Sequence, residues 1–314
     1  MVYSARIVKE GAVGTARKLL KRAGTLYSAS AALALAFYSL YIFTSLRLWV
    51  ERSDAGVFDP VGEVLEILTL RRAFHGSDVL IMYTLMLAVA PAIVYLLHKG
   101  RTPVVLAASI ALWGLQQSSL LGFSHIWSVA DSSFPLFAWQ LLMVLGLITG
   151  FHYRAISTWL VDRRRADLCV IGALGLLLGL MWLYRYQGSH LLPVGAGDMA
   201  VYGGLFDKTN LATGRVLAFL CLAVVAYMVV HFAWTPLCRR LGWFLIPLGQ
   251  NSLYVYITHL FVLVLLYNVA PYLLYMVPVS WGPLDTFSLA SQLTSLAMVW
   301  LMVKTRFLFW LIPR

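Results

Sequence analysis

Residues 79–97 read VLIMYTLMLAVAPAIVYLL, a run without one charged side chain. A helix of about twenty apolar residues crosses the hydrocarbon core of a bilayer. A helix that is apolar on every face must lie in lipid or deep inside a protein. The stretch therefore predicts a transmembrane helix. Pro91 fits that reading, because neighbouring helices can satisfy the backbone groups that proline frees.

Working outward, seven further apolar stretches have this character, near 28–46, 103–121, 134–152, 168–186, 214–234, 252–271 and 288–311. They predict an all-α, polytopic membrane bundle of about eight transmembrane helices. The composition agrees: 61% of the 314 residues are hydrophobic and 12% charged, with a mean hydropathy of +0.81. Soluble domains carry about a quarter charged residues, and a chain this apolar could not cover a watery surface. The apolar segments follow one another from end to end, which predicts a single membrane domain over 1–314. Residues 1–27 form a basic cytoplasmic tail and 28–311 the bundle. Gly146 and Gly150 have the small-xxx-small spacing that lets membrane helices approach closely.

The net charge of +11 raises nucleic acid as a partner, but its placement argues for topology instead. Seventeen of the 24 Lys and Arg fall on one face. They lie in the tail from Arg6 to Arg22, at Lys99, Arg101 and Arg154, at Arg163 to Arg165, at Arg239 and Arg240, and at Lys304, Arg306 and Arg314. Such a bias marks the cytoplasmic side, and an even number of spans returns both termini there. This predicts a multi-pass membrane protein with cytoplasmic N- and C-termini, with the lipid bilayer as its first partner and no nucleic acid. Residues 5–22 are basic and partly amphipathic, so they read either as a segment on the inner leaflet or as an ordinary tail. They lack the form of a secretory signal.

Cys169, Cys221 and Cys238 show neither metal spacing nor a disulfide pattern, and they read as small buried hydrophobes. No metal site is expected. HExxH, CxxC, Walker and GxSxG motifs are all missing, which removes the usual zinc, redox, nucleotide and serine-hydrolase signatures.

Polar groups at membrane depth carry what remains, because each is costly there. His75, in Phe74-His75-Gly76-Ser77-Asp78, can act as a general acid/base with its tautomer set by Asp78; Ser77 or Asp78 can equally serve as a helix cap. Gln140, six residues into an apolar run, contacts either a neighbouring helix or a substrate. In Phe206-Asp207-Lys208-Thr209-Asn210, Asp207 and Lys208 can neutralise each other. Alternatively, Lys208 and Arg215 form a cationic mouth for a carboxylate or phosphate, with Asp207 orienting one of them. Ser252, Tyr256 and His259 fall at i, i+4 and i+7 and share one helix face. Ser124-His125 reads as a loop. The long loops 47–78 and 187–213 are where such a scaffold carries function.

Five stretches taken in order resemble one family. They are ARKLLKRAGTLY (16–27), HGSDVLIMYTLMLAVAP (75–91), FPLFAWQLLMVLGLITG (134–150), FDKTNLATGRVLAFLCLAVVAY (206–227) and LGQNSLYVYITHLF (248–261). Together they resemble the OpgC family of membrane acyltransferases, related to the wider acyltransferase type 3 superfamily. The last has that superfamily's Gly-x-x-Ser-x-x-x-Tyr-x-x-His pattern at Gly249, Ser252, Tyr256 and His259.

The resemblance implies transfer of an acyl group, succinyl- or acetyl-like, from cytoplasmic acyl-CoA to a hydroxyl on an extracytoplasmic glycan. Acyl-CoA would be a co-substrate, with no bound cofactor. His75 would be the acid/base, oriented by Asp78. Gln140, Asp207, Lys208, Asn210 and Arg215 would serve the acceptor or acyl-carboxylate pocket, and Ser252, Tyr256 and His259 would line the passage between the faces. The family pattern also implies two earlier helices, with an Arg…Asp…Arg-Gly run and an Asp-His pair, that this sequence does not match. A shortened, non-catalytic homologue is thus one alternative. A transporter or flippase for a polar anionic solute is another, and an inverted repeat would favour it.

Overall fold

The structure, a computed structural model, describes residues 2–44, 46, 59–74, 76–118, 135–186, 205–276 and 286–310. These residues form eleven helices: α1 (Val2–Phe43), α2 (Pro60–Leu68), α3 (Asp78–His98), α4 (Thr102–Gln117), α5 (Leu136–Phe151), α6 (Tyr153–Val161), α7 (Arg163–Tyr186), α8 (Thr213–Phe232), α9 (Trp234–Gln250), α10 (Ser252–Met276) and α11 (Thr286–Lys304). No strand occurs among the described residues, so the protein is an all-α membrane bundle. Five described helices are long and apolar enough to cross a membrane, or six if the bent pair α5–α6 counts as one span. The side chains agree with a lipid surround: Leu168, Ile171, Leu178 and Met181 of α7 are 65% to 68% exposed. Water would not tolerate so continuous an apolar face.

Where the helices differ from the expected spans, the cause is local. The basic tail and the first span form one helix, α1, of 42 residues. At 1.5 Å per residue it runs about 63 Å, twice a bilayer core. The third span shortens to α4, 16 residues, which ends in Gln116, Gln117 and Ser118. The eighth stops at Lys304 rather than 311, because Arg306 and Leu308 take left-handed backbone (φ 56° and 50°) that no helix can continue. The fourth span ends at His152, where the chain bends by 80° into α6. There the imidazole Nε2 lies 3.0 Å from the Thr102 hydroxyl at the start of α4, pinning the break. Three helices arise where loops were expected, α2, α6 and α9. Asp59 Oδ1 caps α2 by accepting from the amides of Val61 and Gly62 (3.1 and 3.0 Å), with Pro60 opening the first turn.

The chain packs as two compact units. One comprises Met1–Ala23 and Met82–Trp234. Here Val105 on α4 and Val144 on α5 meet over Leu97 of α3, while Ala138, Leu141, Leu211 and Val216 form a second core. The α4–α5 pair is locked by polar atoms as well. The buried Ser109 hydroxyl donates to Gln140 Oε1 (2.8 Å), and Gln140 Nε2 donates back to the Ser109 carbonyl (2.8 Å).

The other unit comprises Gly24–Ile81 and Thr235–Arg314. Its core joins Leu33, Phe37 and Tyr38 of α1, Ile67 of α2, Phe74, Leu80, and Ile257, Leu260 and Val264 of α10. The Tyr27 hydroxyl donates to the Leu68 carbonyl (2.8 Å), tying α2 to α1. Trp243 and Phe244 of α9 pack on Trp300 of α11.

Interhelical hydrogen bonds in membranes contribute about 0.6–2 kcal/mol. Ser109→Ala removes one partner of the Gln140 amide and should lower stability by about 1 kcal/mol, read as a reduced melting temperature in detergent. An unchanged melting temperature would show that this amide does not clamp α4 to α5.

Candidate functional site

In the second unit, the segment leading into α3 is fixed residue by residue. Arg72 Nε pairs with Glu63 Oε2 of α2 at 3.3 Å, and its guanidinium lies 5.9 Å from the Phe74 ring centre. Phe74 is buried, with its ring centre 5.4 Å from that of Tyr38. A tight turn then follows. The Phe74 amide donates to Ser77 Oγ (2.9 Å) and the Ser77 amide returns to the Phe74 carbonyl (3.0 Å), burying Ser77 completely. Asp78 begins α3 and accepts from the Val79 amide (2.9 Å).

Gly76 sits in this turn at φ 81°. A side chain there would be strained, and its Cβ would meet Leu260 at 3.0 Å and Tyr256 Oη at 3.8 Å. The close approach has a use, because the Tyr256 hydroxyl donates to the Gly76 carbonyl at 2.5 Å. The motif helix α10 and the turn before α3 are thereby joined, 180 residues apart in sequence. His75 lies outside the described residues. Its two neighbours, Phe74 and Gly76, are both held.

Ser252, Tyr256 and His259 all lie on α10, as their spacing requires. Tyr256 reaches the Gly76 carbonyl; Ser252 is exposed at the helix start, and His259 is half-buried with no hydrogen-bond partner among the described residues.

In the first unit, residues 205–212 form a second fixed irregular segment. Asp207 organises it, accepting from the Thr209 amide (3.0 Å), the Asn210 amide (3.3 Å) and Asn210 Nδ2 (2.7 Å). Asp207 therefore acts on its own turn, and among the described residues it pairs with neither Lys208 nor Arg215. Arg215 Nε instead donates to the Phe206 carbonyl (2.6 Å), while Lys208 is exposed.

Four donors on α4 and α5 reach across to this segment. Gln116 Nε2 contacts Asn210 Oδ1 (3.3 Å), Gln117 Nε2 the Asn210 carbonyl (2.6 Å), Trp113 Nε1 the Leu211 carbonyl (3.0 Å) and Trp139 Nε1 the Thr209 carbonyl (3.1 Å). Gly214 completes the fit, since a Cβ there would meet the Leu205 carbonyl and the Phe206 ring at 2.8 Å. Sequence reasoning missed Trp113, Gln116, Gln117 and Trp139 as site residues. Their signal was two amides and two indoles, all hydrogen-bond donors, on helices built mostly from aliphatic side chains.

Gln140 is committed to α4, donating also to the Phe137 carbonyl (3.1 Å). His125 lies outside the described residues. Cys169, Cys221 and Cys238 are free thiols. Among the described residues no cluster of three His, Cys, Asp or Glu side chains forms that could hold a metal ion.

Asp207→Ala should release the Asp207–Asn210 turn, since a charged acceptor of this kind contributes about 1–3 kcal/mol. Hydrogen exchange should accelerate at Thr209 and Asn210 while α8 keeps its protection. Unchanged exchange would show that the turn is held from α4 and α5 alone.

No curated protein and no solved structure matches the chain. A family model does: the one described as OpgC protein matches residues 1–307. That match takes in both irregular segments and every helix named above, and by it the chain belongs to the OpgC family.

Proposed function

We propose that this protein is a membrane O-acyltransferase that moves a succinyl- or acetyl-like group from acyl-CoA to a hydroxyl of an extracytoplasmic glycan, at the bacterial inner membrane and with both termini cytoplasmic. Family membership over residues 1–307 supports this reading. The observation that carries it in the structure is the bond from Tyr256 to the Gly76 carbonyl, beside His75. An acid/base needs a defined position to act within hydrogen-bond reach of its proton, and here the main chain on both sides of the histidine is anchored.

In this mechanism His75 takes the proton of the acceptor hydroxyl as its oxygen attacks the thioester carbonyl. Asp78, three residues on in sequence, orients the imidazole. The tetrahedral intermediate collapses with loss of the CoA thiolate, which receives the proton, and the acyl group remains on the sugar oxygen. Hydrogen-bond donors near the site stabilise the oxyanion. Lys208, Asn210 and Arg215 serve the acceptor or the acyl carboxylate, with Asp207 shaping the turn that carries Lys208 and Asn210. Ser252 and His259 line the path on α10.

The test is the acyl content of envelope glycans in a deletion strain complemented with variants. The deletion should lose succinyl or acetyl substitution and wild type should restore it; unchanged substitution in the deletion would overturn the reading. His75→Ala should abolish transfer at a normal membrane level. Tyr256→Phe keeps the ring and loses the hydroxyl, so transfer should fall by about tenfold, the effect of a misplaced catalytic group. Full activity in Tyr256→Phe would remove the Gly76 contact from the mechanism.

A further inference from the structure

Where α9, α10 and the C-terminal end of α11 meet in the second unit, a cavity of about 470 Å³ opens, lined by Pro247, Gln250, Asn251, Val303, Lys304, Arg306 and Phe309. Two of its lining side chains are cationic and none is acidic. Lys304 and Arg306 form no ion pair among the described residues, and both are exposed. Topology alone can account for basic residues at a helix end, but it does not require a cavity around them.

The walls are built rather than incidental. Tyr254, fully buried, donates its hydroxyl to the Phe307 carbonyl (2.5 Å) and packs against Phe309, ring centres 4.5 Å apart. This holds the chain after α11 in a turn whose Arg306 and Leu308 both take left-handed backbone. Such conformations are strained and persist only where the surroundings enforce them. On the opposite wall Asn251 Nδ2 donates to the Pro247 carbonyl (2.9 Å). That leaves Asn251 oriented and Gln250 exposed beside it.

We propose that this cavity is a binding site for a phosphate-bearing anion, with Lys304 and Arg306 supplying the charge and Gln250 an amide donor. Charge decides the ligand class. Two cations without an ion pair among the described residues call for a dianion, and a phosphomonoester carries about −1.5 to −2 at neutral pH where a carboxylate carries one. Arg supplies a planar, bidentate match to phosphate oxygens and Lys a point charge. On the orientation proposed above, this end of the helices faces the cytoplasm. The phosphate could then belong to a soluble nucleotide-like ligand or to a lipid headgroup. The site goes beyond the acyl-transfer reading and does not depend on it.

The test uses the full chain in nanodiscs of zwitterionic lipid, titrated with pyrophosphate and with coenzyme A at low ionic strength. A second arm measures retention of phosphatidylglycerol from mixed discs by native mass spectrometry. The variant is Lys304→Gln with Arg306→Asn, because asparagine tolerates left-handed backbone and so removes charge without adding strain. Loss of two charge-assisted contacts should weaken binding by tenfold or more, an order-of-magnitude figure for such bonds.

A tenfold loss for pyrophosphate and coenzyme A assigns the site to a soluble phosphate. A loss confined to phosphatidylglycerol assigns it to a headgroup. Wild-type affinity in the double variant on both arms, or no binding by wild type on either, overturns the proposal. Should the double variant aggregate, Gln250→Glu places an acid at the rim without touching the turn and must weaken binding equally; unchanged affinity there overturns the proposal too. Acyl transfer with intact phosphate affinity in the double variant would count against this site alone. Phosphate binding by a protein that transfers no acyl group would count against the enzyme reading alone.

Discussion

A carbonyl that loses its helical partner at membrane depth must find a donor inside the protein, because lipid offers none. That constraint shapes every irregular segment described here. The Gly76 carbonyl is met by Tyr256 and the Phe307 carbonyl by Tyr254. Those of Thr209, Asn210 and Leu211 are met by Trp139, Gln117 and Trp113, and that of Phe206 by Arg215. In each case the donor is a long side chain on a helix and the acceptor is main chain outside the helices. Tyrosine, tryptophan and glutamine suit the task, with an apolar or flexible body to pack and one polar end to deliver.

The constraint has a consequence for chemistry. Reactive groups sit most usefully on segments that are not helical, yet they need positions as exact as those on a helix. A turn held by donors from neighbouring helices meets both demands. The turn at 74–77 is clamped by Ser77 from within and by Tyr256 from α10. The segment at 206–212 is clamped by Asp207 from within and by α4 and α5 from outside. The same logic explains why its carboxylate does not meet Lys208 or Arg215. Its oxygens already accept three N–H groups, and a salt bridge to an exposed lysine would contribute little.

How much of this was legible in the sequence differs by feature. Apolar runs and basic clusters disclose a multi-pass helical protein, because lipid imposes its requirement on composition directly. The i, i+4, i+7 spacing of Ser252, Tyr256 and His259 discloses a shared helix face for the same kind of reason. Partners did not follow. Nothing in Gln117 or Trp139 alone says that each reaches the main chain of residues 209 and 210, since that depends on how the C-terminal end of α4 and the N-terminal end of α5 are presented. The bend at His152 was equally hidden, because nothing at the end of that apolar run says that the chain turns by 80° into a further helix. Helix ends were misjudged where polar or left-handed residues cut an apolar run short, at Ser118 and after Lys304.

Backbone strain follows the same map. Four non-glycine residues among those described have positive φ: Leu70, Leu211, Arg306 and Leu308. For an L-residue this costs about 1–2 kcal/mol, roughly the net contribution of one hydrogen bond. Leu211 is buried and its carbonyl accepts from Trp113, so packing and hydrogen bonding offset the cost on the spot. Leu70 closes α2 with its own amide and that of Arg71, bonded back to the carbonyls of Ile67 and Glu66, the pattern that usually recruits glycine at a helix end. Arg306 and Leu308 flank Phe307, whose carbonyl is held by Tyr254. Arg306 differs from the others in being exposed and charged, so its own side chain contributes no burial to offset the strain. The turn is held by its neighbours, and what that geometry secures is the place of a guanidinium at the edge of a cavity.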